Sequence, residues 1–375
     1  MDRNGYIKMK VLSVFGTRPE AIKMCPVIKE LNKRVEIDSR VCLTGQHEEM
    51  LNQVMDIFEI KADYNFHIMK KKQTLSMITI SILTEMDRVL EKEKPELLLV
   101  HGDTSSSFAA ALAAFYHGIP VGHVEAGLRT YNMYSPYPEE FNRQAVDLIS
   151  NIYFAPTERA KQQLINEGKN KTKVFVTGNT VIDALKTTVA DNYHNEVLDW
   201  AQGSKIILMT AHRRENIGVP MENMFRAALE IVNRNPDVKL IYPMHKNPKV
   251  REIAYEILGN HSNIKLIEPL DVYDFHNFMA NSYLILTDSG GIQEEAPSLG
   301  KPVLVMRETT ERPEGVEAGT LKLVGTNEKN IVDETEKLLF DEALYKKMSN
   351  IKNPYGDGHA SERIVDIIIN CFKER

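Results

Sequence analysis

Short runs of apolar residues recur along the chain, and each is followed by a polar loop and then by apolar residues at helical spacing. The run Leu97-Leu98-Leu99-Val100 contains no polar position, which is typical of a parallel strand buried on both faces. Strand and helix alternate at intervals of roughly 20 to 30 residues, as in doubly wound sheets with helices on both faces. The pattern therefore predicts an α/β fold class.

The predicted strands form two sets, separated by the stretch Ala190 to Ser204, where the strand–helix rhythm breaks. The first set is Lys10–Phe15, Val35–Thr44, Leu97–Val100, Pro120–Val124, Ile152–Pro156 and Val174–Gly178; the second is Lys205–Thr210, Val238–Pro243, Ile264–Ile267, Leu284–Thr287 and Val303–Met306. A length of 375 residues also exceeds what one hydrophobic core usually serves. We therefore predict two Rossmann-like domains, residues 9–178 with a C-terminal helix at 356–375 and residues 179–355, with a ligand-binding cleft between them.

Composition and charge exclude several kinds of partner. A net charge of −6 argues against nucleic acid as the main partner, because binding to phosphate backbones needs a basic face. The three cysteines, Cys25, Cys42 and Cys371, are scattered and suggest neither a disulfide framework nor a zinc site. The first apolar run is interrupted at Gly16-Thr17-Arg18, so it is neither a signal peptide nor a membrane span. We expect a cytoplasmic protein with no membrane partner.

The stretch from Tyr283 to Gly315 carries the clearest chemical signal. The apolar run Leu284-Ile285-Leu286 leads into Ser289-Gly290-Gly291 and then into a helix start, which points free backbone N–H groups at a ligand. The helix dipole favours an anion there, most naturally a phosphate. The alternative is a helix capped by Ser289 with nothing bound.

Other polar residues also stand just after strand ends, where open parallel sheets bind their ligands. They are Arg18, Asp103, Glu125, His212, His245, Ser289 and Arg312, with Glu139 and Arg143 at a helix start. Each has a structural alternative: Asp103 and Glu139 as helix caps, His212 as a histidine bonded to a backbone carbonyl, and Arg213-Arg214 as a solvated pair. Their shared position at strand and helix ends favours one convergent site of carboxylates, histidines and arginines.

Absent motifs narrow the chemistry. The chain contains no D-x-D pair for a metal, no G-x-x-x-x-G-K-[ST] phosphate loop, and no G-x-G-x-x-G after the first strand. A phosphate would therefore be held by Arg18, Arg312, His212 and helix N-termini, without a metal or other cofactor. Charge-assisted hydrogen bonds worth about 1.5 to 3 kcal/mol each are sufficient for that.

Six longer motifs carry a family resemblance: Gly16–Lys23, His101–Thr104, His123–Arg129, Pro138–Arg143, Ala211–Asn216 and Thr287–Gly315. They resemble the non-hydrolysing UDP-N-acetylglucosamine 2-epimerases over nearly the whole chain from Lys10. The resemblance implies a glycosyltransferase-B fold, a homodimer, and an isomerase that interconverts UDP-GlcNAc and UDP-ManNAc for cell-surface polysaccharide. UDP would be the leaving group and 2-acetamidoglucal the intermediate.

The resemblance also implies residue roles. Asp103, Glu125, Glu139 and His212 match the catalytic residues. The positions that hold UDP and its diphosphate are Arg18, Lys23, Arg143, Phe275, Ser289, Gly290, Gly291, Glu295 and Arg312, with Glu295 on the ribose hydroxyls.

Bacterial members bind a second UDP-GlcNAc as an allosteric activator, at positions that match Gln46, Arg213 and His245. Two nearby residues depart from the family pattern. Glu49 replaces a glutamine and adds a carboxylate, and Lys72 replaces an arginine whose bidentate fork a lysine cannot reproduce.

Other functions of the same fold remain open. A UDP-sugar glycosyltransferase would need an acceptor groove, a non-catalytic sensor would not need three carboxylates together, and a hydrolysing epimerase would release free sugar. The cluster of Asp103, Glu125 and Glu139 favours the isomerase.

Overall fold

The structure is a computed structural model that describes residues 8–45, 48–70 and 72–373. The chain divides into two compact units, with the division between Thr187 and Thr188 and a return to the first unit at Gly356. The boundary predicted from the sequence stands at residue 178, before the helix Thr180–Thr188.

The first unit is built on one parallel sheet. Its elements are β1 (Met9–Phe15), α1 (Arg18–Lys33), β2 (Ile37–Leu43), α2 (Glu48–Ile57), β3 (Tyr64–Asn65), α3 (Leu75–Glu93), β4 (Leu97–His101), α4 (Ser105–Tyr116), β5 (Val121–Val124), α5 (Glu139–Ile149), β6 (Ile152–Ala155), α6 (Glu158–Asn166), β7 (Val174–Val176) and α7 (Thr180–Thr188). The strand order is β3-β2-β1-β4-β5-β6-β7.

The second unit repeats this plan. Its elements are α8 (Glu196–Trp200), β8 (Lys205–Thr210), α9 (Val219–Arg234), β9 (Val238–Pro243), α10 (Pro248–Leu258), β10 (Ile264–Ile267), α11 (Val272–Asn281), β11 (Leu284–Thr287), α12 (Gly290–Glu295), β12 (Val303–Val305), α13 (Pro313–Ala318), β13 (Leu321–Leu323), α14 (Glu328–Phe340) and α15 (Glu342–Ser349). Its parallel sheet has the order β10-β9-β8-β11-β12-β13.

The core of the first unit explains why its strands read as unbroken apolar runs. Leu12 of β1 is paired with Leu98 of β4, and both pack with Val14 and Val100 against α3 and α4. The buried alanines of α4 present only methyl groups, so this helix can approach the sheet closely. Both faces of the central strands are therefore covered, as the absence of polar alternation predicts.

The chain ends in α16 (Ala360–Lys373), which belongs to the first unit. Its first turn is held by Asp183 of α7, whose carboxylate accepts the N–H groups of Ser361 at 2.7 Å and Ala360 at 3.2 Å. Its apolar face packs against α1, and Arg34 just after α1 pairs with Asp366 at 2.9 Å. The C-terminus thus completes a domain that begins at the N-terminus.

The α/β fold class predicted from the sequence is confirmed, with two parallel sheets in place of the two sets of apolar runs. Two strands are missing from the prediction: β3 (Tyr64–Asn65) and β13 (Leu321–Leu323). Both are sheet-edge strands of two or three residues, too short to produce an apolar run. No helix in the described part of the chain has the length and apolar composition needed to cross a membrane.

Candidate active site

The strand order reverses direction once in each sheet, and the predicted site residues lie near these reversal points. The reversal lies between β1 and β4 in the first unit and between β8 and β11 in the second. Loops that leave such neighbouring strands diverge and open a crevice at the carboxyl ends of the strands. Arg18 and Asp103 follow β1 and β4, while His212 and Ser289 follow β8 and β11. Each unit therefore holds part of the predicted site at its own crevice.

A buried glutamate fixes the crevice of the first unit. One carboxylate oxygen of Glu20 accepts the N–H groups of Gly16 at 3.0 Å and Thr17 at 2.8 Å. The other accepts the hydroxyls of Thr104 at 2.6 Å and Ser107 at 2.8 Å, so the loops after β1 and β4 are held together. Burial raises the pKa of Glu20 above its ordinary value despite these hydrogen bonds.

Glu125 and Lys23 form an ion pair at this crevice. Glu125 follows β5 directly and has a φ of 67°, a left-handed conformation that is uncommon for a residue with a side chain. Its carboxylate also accepts the Asn179 amide at 3.1 Å, and the ring of buried His101 lies 3.5 Å away. The lysine, the amide and the backbone twist together fix where this carboxylate points.

Asp103 forms a second ion pair, with Arg143 of α5 at 2.5 Å. Burial raises the pKa of Asp103, and the nearby charge of Glu125 raises it further, while Arg143 acts in the opposite direction. Glu139 stands one helical turn before Arg143 on the same face of α5. Two carboxyl groups with different surroundings, Asp103 and Glu125, thus lie at one crevice, and such a difference separates acid from base roles.

Arg18 is the first residue of α1 and is half-buried. Its guanidinium makes no hydrogen bond or ion pair with the rest of the described chain, and the same is true of the Glu139 carboxylate. A cation at the start of a sixteen-residue helix adds to the positive end of the helix dipole. Arg18 is therefore available for an anionic ligand.

In the second unit, buried Asp288 organises the loop after β8. Its carboxylate accepts the N–H groups of His212 at 3.0 Å and Arg213 at 2.9 Å, and the Asn216 amide at 3.0 Å. The His212 ring lies 3.4 Å from the same carboxylate and stacks on His245, with ring centroids 5.9 Å apart. Burial and the neighbouring His212 lower the pKa of His245. The His212 ring is thereby held at the crevice by a carboxylate and a second imidazole.

The glycine turn predicted to bind phosphate has the expected form. Ser289 is the N-cap residue of α12, and its side chain makes no capping hydrogen bond, so its hydroxyl is not used to close the helix. A Cβ atom on Gly290 would lie 2.7 Å from a carboxylate oxygen of Glu311. Glycine therefore leaves room for that carboxylate against the helix start, and a larger residue would require the Glu311 side chain to shift.

Three arginines surround Glu311. Its carboxylate pairs with Arg213 at 2.8 Å and Arg307 at 2.7 Å, and Arg312 lies 3.8 Å away. Burial alone would raise the pKa of Glu311, but Arg312, Arg213 and Arg307 lower it to about 2. An anion therefore already lies among the basic groups at the start of α12.

The remaining predicted residues of this unit lie around α11 and α12. The Glu295 carboxylate is 3.5 Å from the ring of buried His276, whose other nitrogen is 2.6 Å from the Thr188 hydroxyl. Phe275 precedes His276 on α11 and is half-buried against the core of the second unit. Arg312 pairs with Glu294 at 2.5 Å.

Part of the predicted activator site cannot be placed. Gln46 and the Glu49 side chain lie outside the described residues, whereas Lys72 stands in a turn with a φ of 62°. Arg213 and His245 both neighbour His212 in the second unit. Within residues 8–45, 48–70 and 72–373, no group of three or more His, Cys, Asp or Glu side chains is arranged to hold a metal.

Several residues that shape these crevices are missing from the sequence-based prediction: Glu20, Asp288 and Glu311. All are acidic, and nothing in the sequence around Glu311 distinguishes it from a solvated carboxylate. Glu20 had one available signal, because Thr17 stands three residues before it, which is the spacing of a helix capping box.

Two doubly wound parallel sheets place the chain in the glycosyltransferase-B class of folds. The family model described as UDP-N-acetylglucosamine 2-epimerase matches residues 29–369. The UDP-N-acetylglucosamine 2-epimerase of Bacillus subtilis is 59% identical over 362 residues, which cover 96% of this chain and 95% of that protein.

Solved structures agree. UDP-GlcNAc 2-epimerase from Neisseria meningitidis, bound to UDP-GlcNAc, is 52% identical with a TM-score of 0.87, covering 96% of this chain and 100% of that one. The Methanocaldococcus jannaschii enzyme, in complex with UDP-GlcNAc and UDP, is 37% identical with a TM-score of 0.78 and the same coverage. The chain therefore belongs to the UDP-N-acetylglucosamine 2-epimerase family, and it is an isomerase.

Proposed function

We propose that this protein converts UDP-N-acetylglucosamine reversibly to UDP-N-acetylmannosamine without hydrolysing either. The observation that carries the proposal is the pairing of Asp103, whose pKa burial raises, with an ion-paired Glu125 in one crevice. Such a pair offers two carboxyl groups with different surroundings, which is what separate acid and base roles require. Relatives that share half or more of the sequence carry the same name, and one of them was solved with UDP-GlcNAc bound.

The chemistry follows from the substrate. The C2 proton of the sugar has no adjacent carbonyl, so a side chain cannot remove it directly. Departure of UDP breaks the C1–O bond and takes the electron pair, which makes C2 electron-poor. Loss of the C2 proton to a base then gives 2-acetamidoglucal, with a double bond between C1 and C2. Protonation of C2 on the opposite face and re-addition of UDP at C1 give the epimer.

This sequence of steps assigns roles to the residues already placed. Asp103, Glu125 and Glu139 are proposed to transfer protons on the two faces of the sugar. Leaving UDP is proposed to be stabilised by charged and donor groups, which are Arg18, Lys23, Arg143, His212, Ser289, Gly290, Gly291 and Arg312. Phe275 and Glu295 are proposed to hold the uridine, with Glu295 on the ribose hydroxyls.

Turnover in D₂O tests the mechanism. UDP-GlcNAc alone, without acceptor or added cofactor, should yield UDP-ManNAc with deuterium at C2, and traces of UDP and 2-acetamidoglucal should leak out. Proton NMR measures all four species. Retention of the original C2 hydrogen would rule out the mechanism in which UDP is eliminated. Steady release of free sugar would indicate a hydrolysing enzyme instead.

We also propose that the protein acts as a homodimer through the faces of α3, α4 and α5. These helices pack side by side, and their exposed residues include Ile80, Phe115, Tyr116 and Leu148, each more than half exposed. Exposed apolar side chains that form a contiguous patch mark interaction sites, and we propose that these helices present such a patch. Light scattering should report a dimer for the wild type and a monomer for Ile80→Glu. The control Tyr255→Glu, at an exposed residue of the second unit, should remain dimeric.

An activator role is proposed for Arg213, His245 and Gln46. If a second UDP-GlcNAc binds there, initial rates should rise more steeply than hyperbolically with UDP-GlcNAc. Turnover of UDP-ManNAc alone should then be slow until UDP-GlcNAc is added. Hyperbolic kinetics in both directions would exclude this role. We also propose that the protein works in the cytoplasm and supplies ManNAc for cell-surface polysaccharide. The buried free thiols of Cys25 and Cys42 are compatible with a reducing compartment.

A further inference from the structure

A buried charged network lies behind the crevice of the first unit, and none of its members has a role in the proposed chemistry. His123 of β5 is fully buried, and its Nδ1 atom is 2.7 Å from a carboxylate oxygen of Asp147. The other Asp147 oxygen pairs with Arg129 at 2.7 Å, and Arg129 pairs in turn with Glu167 at 2.7 Å. His123, Asp147 and Arg129 have no exposed side-chain surface.

The hydrogen-bond partners of His123 specify its protonation. Its Nε2 atom is 2.8 Å from the carbonyl oxygen of Gly102, which can only accept a hydrogen bond. Its Nδ1 atom faces Asp147, whose pKa is held below its ordinary value because His123 and Arg129 outweigh its burial. Both ring nitrogens therefore face acceptors, and only an imidazolium with two N–H groups satisfies both.

The charge of the network agrees with this state. With His123 protonated, the two acids, Asp147 and Glu167, are balanced by two cations, His123 and Arg129. With a neutral imidazole the same four groups would carry a net charge of −1.

The network contacts both loops that carry the proposed proton-transfer groups. The Gly102 peptide is held on both sides, since its N–H donates to the Val124 carbonyl at 2.9 Å and its carbonyl accepts from His123. Asp103 is the next residue. Asp147 also accepts the N–H of Gly127 at 3.2 Å, two residues after Glu125. One ion pair thus ties together the loops after β4 and β5.

We propose that His123 is a positioning residue for the isomerase, which as an imidazolium bound to Asp147 holds Gly102 and thereby sets the place of the Asp103 carboxyl. This inference rests on the proposed function, in which Asp103 transfers a proton at C2. Proton transfer is sensitive to distance, and a misplacement of about 1 Å can reduce a rate on the order of 100-fold.

The protonation state can be measured in the wild type, independently of catalysis. In protein labelled with ¹⁵N-histidine at pH 7.5, the buried His123 imidazole should show a proton coupled to each ring nitrogen. Assignment uses the His123→Asn protein, in which that signal disappears. A single ring proton at pH 7.5 would overturn the proposal.

Two substitutions then separate the two hydrogen bonds. In His123→Gln the side-chain amide occupies the place of Nε2 and can still donate to Gly102. In His123→Asn the amide occupies the place of Nδ1 and reaches only Asp147. We expect kcat to fall ~10- to 100-fold in His123→Asn, with less loss in His123→Gln and UDP affinity within about twofold of wild type in both.

The matched control is His117→Asn, which removes a histidine that pairs with Asp87 at 3.0 Å at the end of α4. It should leave kcat unchanged. Wild-type turnover of UDP-GlcNAc tests the proposed function, while the ratio of variant to wild type tests the role of His123. Equal kcat losses in the Asn and Gln variants, no loss in either, or a loss of UDP binding that parallels kcat would each overturn the positioning role.

Discussion

Replacing Glu311 by glutamine should tighten the binding of UDP. The Glu311 carboxylate lies among Arg213, Arg307 and Arg312 and against Gly290, where the diphosphate is proposed to bind. A diphosphate and this carboxylate would therefore compete for the same cations. Glutamine keeps the shape of the side chain and one acceptor oxygen but removes the charge.

The structure sets the size of the effect. A fall in the pKa of Glu311 from 4.5 to about 2 corresponds to ~3 kcal/mol of preference for the charged form. Because the side chain is 33% exposed, screening by solvent reduces the usable part to about 1 to 2 kcal/mol. Removing that competition should tighten UDP binding by a factor of ~5 to 30.

The pH range follows from the direction of the shift. A lowered pKa in the folded protein means that the contribution of Glu311 to stability is complete above pH 4.5 and is lost as the pH falls toward about 2. At neutral pH the carboxylate is fully ionised, so the difference between wild type and variant should be constant between pH 6 and 8.

Isothermal titration calorimetry with UDP at fixed ionic strength measures the effect. Glu308→Gln is the matched control, because Glu308 is an exposed carboxylate on the same loop and changes the net charge equally. Its carboxylate accepts the Thr326 N–H at 3.3 Å, which glutamine can also do. The reasoning fails if Glu311→Gln binds UDP no more tightly than Glu308→Gln does.

Three other substitutions probe the first unit. Asp103→Asn should lower kcat by roughly 10²- to 10⁴-fold with UDP affinity in calorimetry retained, and near-normal turnover would exclude Asp103 from proton transfer. Gly16→Ala should lower the free energy of unfolding, measured in urea, by about 1 to 3 kcal/mol. A Cβ atom at this position would lie 1.9 Å from the Thr44 hydroxyl and 2.4 Å from the Ser106 hydroxyl. An unfolding free energy equal to that of the wild type would contradict this reasoning. Burial lowers the pKa of His101 from 6.5 to about 3, so between these pH values the unfolded chain binds a proton that the folded protein does not, and the free energy of unfolding falls with pH. His101→Gln should therefore lose less unfolding free energy than the wild type as the pH falls through this range. Parallel pH–stability curves for the two proteins would refute that assignment.

The sequence allows the sheets to be predicted because burial on both faces leaves an unbroken apolar run. Such runs predict strands at Leu97–Val100 and Leu284–Thr287, and both lie within central strands. Tyr64–Asn65 and Leu321–Leu323 could not be predicted, since edge strands of two or three residues acquire their form from a neighbouring strand.

The sequence predicts which residues stand near the site but not which of them contact one another. The rule that ligands bind after strand ends identifies Asp103 and Glu125, and any sheet of this class would follow it. That Asp103 meets Arg143, or that Glu125 meets Lys23, depends on how distant segments pack, and no periodicity encodes it. The hydrogen bonds of buried Asp288 to the loop after β8 could not be predicted for the same reason.

The return of the chain to its first unit has a consequence for the order of synthesis. The sheet from β1 to β7 is complete once residue 187 has emerged, but α16 follows only after residues 188–355. At ~5 to 20 residues per second, that interval lasts roughly 10 to 30 seconds. During it the surface of α1 that later receives α16 is uncovered. In the finished protein, Ile364 and Ile368 of α16 are fully buried. A nonsense mutation near the end of the gene should therefore damage the domain that the ribosome made first.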